Sequence, residues 1–478
     1  MYVLHGAIKS LNAYLPFTNH WLVLAASLLV SLATGTMFAY SVYSTQLAQR
    51  CGLTTSETAN LNVASTLGSA IGGIGSGMLA DYYGTQIPIL LSCVGNTFGY
   101  WWIYFLYNKG EKRVFSLLLA MLIIGVSTVA GYFTSIKAVS LHFPNYKGSV
   151  QGVVIATFAI SSVIYLAIST KFYHDDTGGF LHFIFISTGI LLFVGFVFIR
   201  VEGYLDERES EIDMENQNQG YCETTSLSRT PSDQGLSKPQ TEESRKEALR
   251  NPYFWYHYLL LSCSQGVGQM YIFSIGFILK AIHIYYTHLG STTDIPALQS
   301  LQSLHVSLIS VSSFAGRFSA GFQSDILLQK YGCQRHWVLV IGNLIMLIAN
   351  ILYSFDLTSV SPNIRNVNIC ILFLSCLIGY AYGLTFASYP AIIADLFGMK
   401  YFSFLWGVVY TGSLFGVTFL QKTFAHFYDK HTDLWDDILK DMVCTIGAAC
   451  YNETFRVSTA LVIGTIVLTV LYIWLRQK

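Results

Sequence analysis

The stretch GSGMLADYYGTQ, residues 75–86, sets one carboxylate, Asp81, directly after the 23 uncharged residues 58–80, and the chain turns apolar again at once. Residues 316–337, GRFSAGFQSDILLQKYGCQRHW, repeat the device. Gly77, Asp81 and Gly84 of the first stretch correspond to Gly321, Asp325 and Gly332 of the second, with four extra residues before the last glycine. A lone charge between two long apolar runs marks the edge of an apolar phase, and its recurrence points to an internal repeat.

Working outward, twelve stretches of 19 or more residues lack Asp, Glu, Lys and Arg: 21–49, 58–80, 82–108, 114–136, 148–170, 177–199, 252–279, 295–316, 336–355, 366–394, 401–421 and 457–475. About 20 apolar residues in a helix span a bilayer, and lipid satisfies no backbone group, so each stretch is expected to be a helix. The runs are too continuously apolar for barrel strands. Composition agrees, with 53% hydrophobic and only 11% charged residues against about 25% charged in soluble chains. The first 20 residues lack the basic start, apolar core and cleavage site of a signal peptide, so the first span is expected to direct insertion.

The twelve spans fall into two groups of six around residues 202–250, which hold 12 acidic and 6 basic residues and few large apolar ones. The organisation expected is an N-terminal six-helix half (1–201), a disordered cytoplasmic linker (202–251) and a C-terminal six-helix half (252–478). Thr230 and Ser232 beside Arg229 are candidate phosphorylation positions in it. Repeated halves around a long middle loop are common in secondary transporters.

The repeated motif resembles the signature of the major facilitator superfamily, Gly-x-x-x-Asp-(Arg/Lys)-x-Gly-x-(Arg/Lys)-(Arg/Lys), which lies between spans 2 and 3 and between spans 8 and 9. The first copy has Tyr82, Thr85 and Gln86 where the family has basic residues; the second keeps Lys330 and Arg335 at altered spacing. SLHFPNYKGSVQGVVIA (140–156) and ADLFGMKYFSFLWGVV (394–409) resemble the loops after spans 4 and 10 in nodulin-like and monocarboxylate-porter-like facilitators, and RNPYFWYHYLLL (250–261) fits the same group. The resemblance implies an all-α membrane protein of twelve helices in two pseudo-symmetric halves, working by alternating access.

On that reading Gly77, Asp81, Gly84, Gly321 and Asp325 are conformational gating residues. A carboxylate at a helix end can bridge to a neighbouring span or cap a helix N-terminus; the plainer alternative is a solvated loop carboxylate. Gly68 with Gly72, Gly73 with Gly77, Gly148 with Gly152, and Gly412 with Gly416 are small-residue pairs that let helix backbones approach closely.

For binding, Arg317 stands out, since charge inside a span is a functional hypothesis by default. Eight residues before Asp325, it lies roughly 12 Å inside the membrane edge at 1.5 Å per residue, and its planar fork suits a carboxylate. An Arg in span 8 with a Gly four residues on, here Gly321, resembles the anion-contacting arrangement of monocarboxylate and oxalate-type facilitators. Ser313 stands where the monocarboxylate group has an Asp, and spans 1 and 11 carry no Lys, which argues against an Asp–Arg proton couple and against a dicarboxylate held between two cations. Lys137 is read as pairing with a carboxylate, lining a cavity or snorkelling. Polar groups in spans 1, 7 and 10, which with span 4 line the cavity in the resembled superfamily, include Tyr40, Tyr43, Gln265, Gln269, Tyr380 and Tyr382.

The basic residues of short loops number nine on one side and eleven on the other, so they do not orient the chain. The only glycosylation sequon, at Asn452, and the neighbouring Cys444 and Cys450, which could pair in an oxidising compartment, favour an outer or lumenal loop between spans 11 and 12. Both termini are then cytoplasmic, in a plasma, vacuolar or other endomembrane. No phosphate-binding loop, metal-spaced His/Cys cluster or intramembrane carboxylate pair is present, so no enzyme activity, cofactor, metal or nucleic-acid partner is expected. The partners expected are the lipid bilayer and a small-molecule solute, with proton coupling open. The function expected is secondary active or facilitative transport of a small organic anion such as a monocarboxylate; the alternative is a membrane sensor that keeps the fold without transporting.

Overall fold

The computed structural model describes residues 19–173, 176–201, 245–288, 295–356, 363–436 and 441–477. Among them are twelve long helical segments, here called spans. Span 1 is the helix His20–Thr34, a 3-10 turn Gly35–Ala39 and the helix Tyr40–Cys51. Spans 2 to 6 are Thr55–Tyr83, Gln86–Lys109, Val114–His142, Lys147–Phe172 and Thr177–Phe198. Spans 7 to 12 are Pro252–His288, Ile295–Tyr331, His336–Ser354, Ile364–Phe397, Phe402–Lys430 and Asn452–Gln477.

Local chemistry sets the helix ends. Thr54 and Glu57 form a reciprocal capping box at the start of span 2, the Glu57 carboxylate accepting from the Thr54 amide at 2.7 Å. Asp176 and Asn363 cap spans 6 and 10, accepting from the amides of Gly179 at 2.8 Å and Arg365 at 2.9 Å. Such caps satisfy amides that have no partner inside the helix. Gly84, at φ 79°, permits the tight turn from span 2 into span 3.

Eleven of the twelve spans are long and apolar enough to cross a membrane. Span 8 has ample length, 37 residues, but Ser303, Ser307, Ser310 and Arg317 recur along one face at helical spacing, which lowers its hydropathy. Two short elements were not expected from the sequence: an antiparallel hairpin of β1 (Thr432–Asp436) and β2 (Asp441–Cys444), and a helix, Arg245–Arg250, at the end of the linker, with Ala248 fully buried. Linker residues 202–244, including Thr230 and Ser232, lie outside the described residues.

Helix pairing repeats between the halves. Span 2 packs on span 4 as span 8 packs on span 10; span 3 packs on span 6 as span 9 on span 12; span 1 packs on span 5 as span 7 on span 11. Between the halves, span 2 meets span 11 and span 5 meets span 8. One apolar core joins the halves, running from Phe133 and Phe158 to Phe386 and Trp406. The end of the bundle bearing Val201 and Arg245 is called the linker side below, and the end bearing β1 and β2 the hairpin side.

Candidate functional site

Asp81 ends span 2 on the linker side and is wholly buried. Its Oδ1 accepts from Lys137 Nζ of span 4 at 2.6 Å and from the Ser403 amide at 3.2 Å, and its Oδ2 accepts from the Phe404 amide at 2.8 Å. Ser403 and Phe404 open span 11, in the other half. The carboxylate therefore caps the N-terminus of a helix across the interface, where the helix dipole favours negative charge.

Asp325 of span 8 does the same in the opposite sense. It accepts from the amides of Gly148 (3.1 Å) and Ser149 (2.6 Å) and from the Ser149 hydroxyl (2.6 Å), at the start of span 5. Its cation is Arg335, at 2.5 Å, whose Nε also donates to Asp395 at 2.7 Å. Lys147 approaches Asp395 at 3.9 Å from the other half, and Gln329 donates to the Asn145 carbonyl. Lys330, the other basic residue of the second motif copy, lies over the Tyr331 ring instead.

The motif glycines permit these approaches. A Cβ at Gly77 would stand 2.8 Å from the Phe404 amide nitrogen, and one at Gly321 would stand 3.0 Å from Ser149 Cα. Gly152 closes on Gly321, where a Cβ would meet Cα at 2.9 Å. The remaining glycine pairs pack within a half: Gly68 and Gly72 face Leu122 and Val126 of span 4, and Gly412 and Gly416 face Tyr258 and Ser262 of span 7. Above the Asp81 contact, the Arg245 guanidinium lies 4.4 Å from the Tyr82 ring in one half and 5.4 and 5.7 Å from the Tyr401 and Phe404 rings in the other.

Between the halves sits Arg317, only 5% exposed, with no hydrogen-bond partner for Nε or Nη1. Its guanidinium lies 5.0 Å from the Phe386 ring and 5.6 Å from the Tyr382 ring, both on span 10, and the Phe386 ring in turn meets Trp406 and Tyr410 of span 11 at 5.8 and 6.2 Å. Gln269 donates to the Tyr382 hydroxyl at 3.2 Å and Gln265 to Thr385 at 3.1 Å, so both reach the face of span 10 that carries Tyr382 and Thr385. Ser313, one turn before Arg317, is buried with its hydroxyl unpaired.

Two of the expected binding residues leave this group. Lys137 neither snorkels nor lines the centre; a fully buried ammonium needs a carboxylate, and Asp81 supplies it. Tyr40 spends its hydroxyl on the Thr58 carbonyl at 2.8 Å and packs edge-on against Tyr43 in the N-terminal half. Tyr380 bonds Ser319 at 2.9 Å, on the linker-side part of span 8. On the hairpin side, Cys444 and Cys450 are disulfide-bonded, with Cα atoms 6.2 Å apart. The Asn452 amide, oriented to satisfy both its polar atoms, donates to the carbonyls of Ala448 (2.7 Å) and Tyr353 (3.1 Å); a glycan on that nitrogen would remove one of these bonds.

Asp395, Tyr132, Phe386 and Trp406 were missed in the sequence. Asp395 lay in a recognised motif, so its charge was the available signal. The three aromatics look like packing residues until the helices are assembled.

Comparison with known proteins agrees with the geometry. A family model described as Nodulin-like matches residues 20–222. An uncharacterized membrane protein of Saccharomyces cerevisiae is 26% identical, with 94% of each chain covered. The probable transporter MCH1 of Candida albicans is 24% identical over 88% of this chain and 87% of its own. Among solved structures, the major facilitator superfamily proton:xylose symporter XylE, bound to 6-bromo-6-deoxy-D-glucose, superposes with a TM-score of 0.59 at 14% identity, covering 92% of this chain and 94% of that one.

Proposed function

We propose that the chain, which matches the Nodulin-like family model over residues 20–222 and shares its fold with a major facilitator superfamily symporter, carries a small organic anion with a single carboxylate across a membrane by alternating access. Arg317 carries this reading. A buried guanidinium with unpaired N–H groups on Nε and Nη1 is costly, and a carboxylate matches its fork bidentately. The position between the halves supports a transport site, since solute held there can be exposed first to one side and then to the other.

The two Asp-capped contacts supply the linker-side barrier. They join spans 2 and 11 and spans 8 and 5 by hydrogen bonds, while the serine face of span 8 leads from the hairpin side towards Arg317. Ser313 in place of a carboxylate one turn before Arg317 favours uniport or exchange over proton coupling through that pair. Purified protein in liposomes tests the proposal: solute-specific flux of organic monoanions, lost in Arg317→Ala, supports it. Saturable binding of the same anions without flux would favour a sensor.

A further inference from the structure

Building on the reading of Arg317 as a carboxylate anchor, we infer that the solute bears an aromatic ring and that Tyr132 holds its carboxylate from the N-terminal half. Buried donors without acceptors occur on three neighbouring side chains: Arg317 at Nε and Nη1, Tyr132 at its hydroxyl and Trp406 at Nε1. These residues are 5%, 1% and 0% exposed. Tyr132 stacks on Phe158 of span 5, its neighbour Phe133 meets Trp406 at 5.9 Å and Tyr410 at 5.3 Å, and Trp406 lies 5.8 Å from Phe386, the ring nearest the guanidinium.

Buried polar groups in folded proteins nearly always find partners, and here Arg317 and Trp406 offer donors only, while the Tyr132 hydroxyl can donate beside them. The ligand that fits them is rich in acceptors and negatively charged. One guanidinium balances one carboxylate. The nearest basic residue of span 4, Lys137, is already paired with Asp81 at 2.6 Å, so a second carboxylate would go uncompensated. An oxygen shared between Arg317 and Tyr132 would also tie the solute to both halves at once, which a carrier requires if binding is to favour their closure.

The walls select the body of the solute. Tyr132 stacks on Phe158 with centroids 4.0 Å apart, Phe386 meets Tyr410 near edge-on at 6.2 Å, and Trp406 and Tyr410 lie 6.2 Å apart. Rings prefer offset or edge-to-face neighbours at about 4.5–7 Å, so a solute ring meeting the Phe386, Trp406 and Tyr410 rings would gain contacts of that kind. A short aliphatic acid would satisfy the donors and leave the aromatic walls without that gain.

The test uses two matched pairs of probes that differ by one phenyl group: phenylpyruvate with pyruvate, and phenylacetate with acetate. Titration calorimetry on the purified full chain, and competition for flux in liposomes, read the preference. Each aromatic acid should bind at least tenfold more tightly than its partner. Tyr132→Phe should weaken phenylpyruvate binding at least fivefold without moving the melting temperature. Phe158→Leu, which keeps the hydroxyl, should narrow the preference between the paired acids. Equal or tighter binding of pyruvate and acetate would overturn the aromatic assignment while leaving the anion carrier intact. Unchanged affinity in Tyr132→Phe would overturn the role of that hydroxyl, and absence of binding and flux for all four acids would overturn this inference and the carrier reading together.

Discussion

The Asp81 and Asp325 contacts are built to one plan and wired differently. In both, a carboxylate at the end of one helix accepts two backbone amides at the start of a helix in the other half. In both, the paired cation belongs to the same half as the carboxylate: Lys137 with Asp81, Arg335 with Asp325. Separating the halves therefore strips hydrogen bonds from a carboxylate without splitting its ion pair. A hydrogen bond to a charged group contributes about 1.5–3 kcal/mol, whereas orphaning a buried charge costs about 3–5 kcal/mol. The arrangement keeps the barrier within reach of a solute's differential binding. The difference lies in burial and in the Asp395 branch. Lys137 and Asp81 are both fully buried, while Arg335 branches to Asp395 and Asp325 also accepts from the Ser149 hydroxyl.

The largest expected effect tests that asymmetry. Lys137→Met removes the ammonium beside the buried Asp81 carboxylate and should destabilise the protein by about 3–5 kcal/mol, read as a fall in melting temperature in detergent. Arg335→Met should cost less, about 1.5–3 kcal/mol, because Asp325 keeps the Ser149 hydroxyl in addition to two amide donors. Equal losses would remove the distinction between the two contacts. Adding Asp81→Asn to Lys137→Met should restore part of the stability, since the side chain at position 81 is then neutral.

Next in size is the effect on opening. Asp325→Asn gives up one acceptor oxygen at the start of span 5, about 1.4 kcal/mol or tenfold in the balance between closed and open linker sides. Uptake should slow while equilibrium solute binding changes little; a parallel loss of binding would place Asp325 in the solute site instead. Gly77→Ala should act in the same direction, raising thiol-reagent access to Ser403→Cys on the linker side, because the added methyl meets span 11. Gly68→Ala should lower thermal stability without that access, since Gly68 faces span 4 of its own half. The smallest effect belongs to Arg245→Ala. Its ring contacts straddle the halves above Asp81, and a cation–π contribution of about 0.5–1 kcal/mol at such a site corresponds to a two- to fivefold rise in the same labelling rate.

The span count and the two-half plan were legible because apolar runs cannot hide in a membrane chain. Their ends were less so. Counting charge-free residues stopped span 8 at Gly316, although the helix continues through Arg317 and Asp325 to Tyr331, because functional charge inside a helix looks like an end. The 3-10 turn at Gly35–Ala39 has no proline to announce it. In the site, Arg317 was readable as a charge in an apolar run, and Lys137 as a charge in want of a partner. Which glycines face the other half was not readable: Gly72 and Gly73 are adjacent in sequence, yet one meets Val126 of its own half and the other Phe133 and span 11. Only helix rotation separates them, and the assembled fold fixes that rotation.

The most direct measurement of the carrier reading is monoanion uptake into proteoliposomes by wild type, Arg317→Lys and Arg317→Ala, at matched membrane insertion. Arg317→Lys keeps the charge and loses the planar fork, so uptake should persist with weakened affinity. Arg317→Ala should abolish it. Normal uptake by Arg317→Ala would make the residue structural and would leave the organic-anion assignment without its main support.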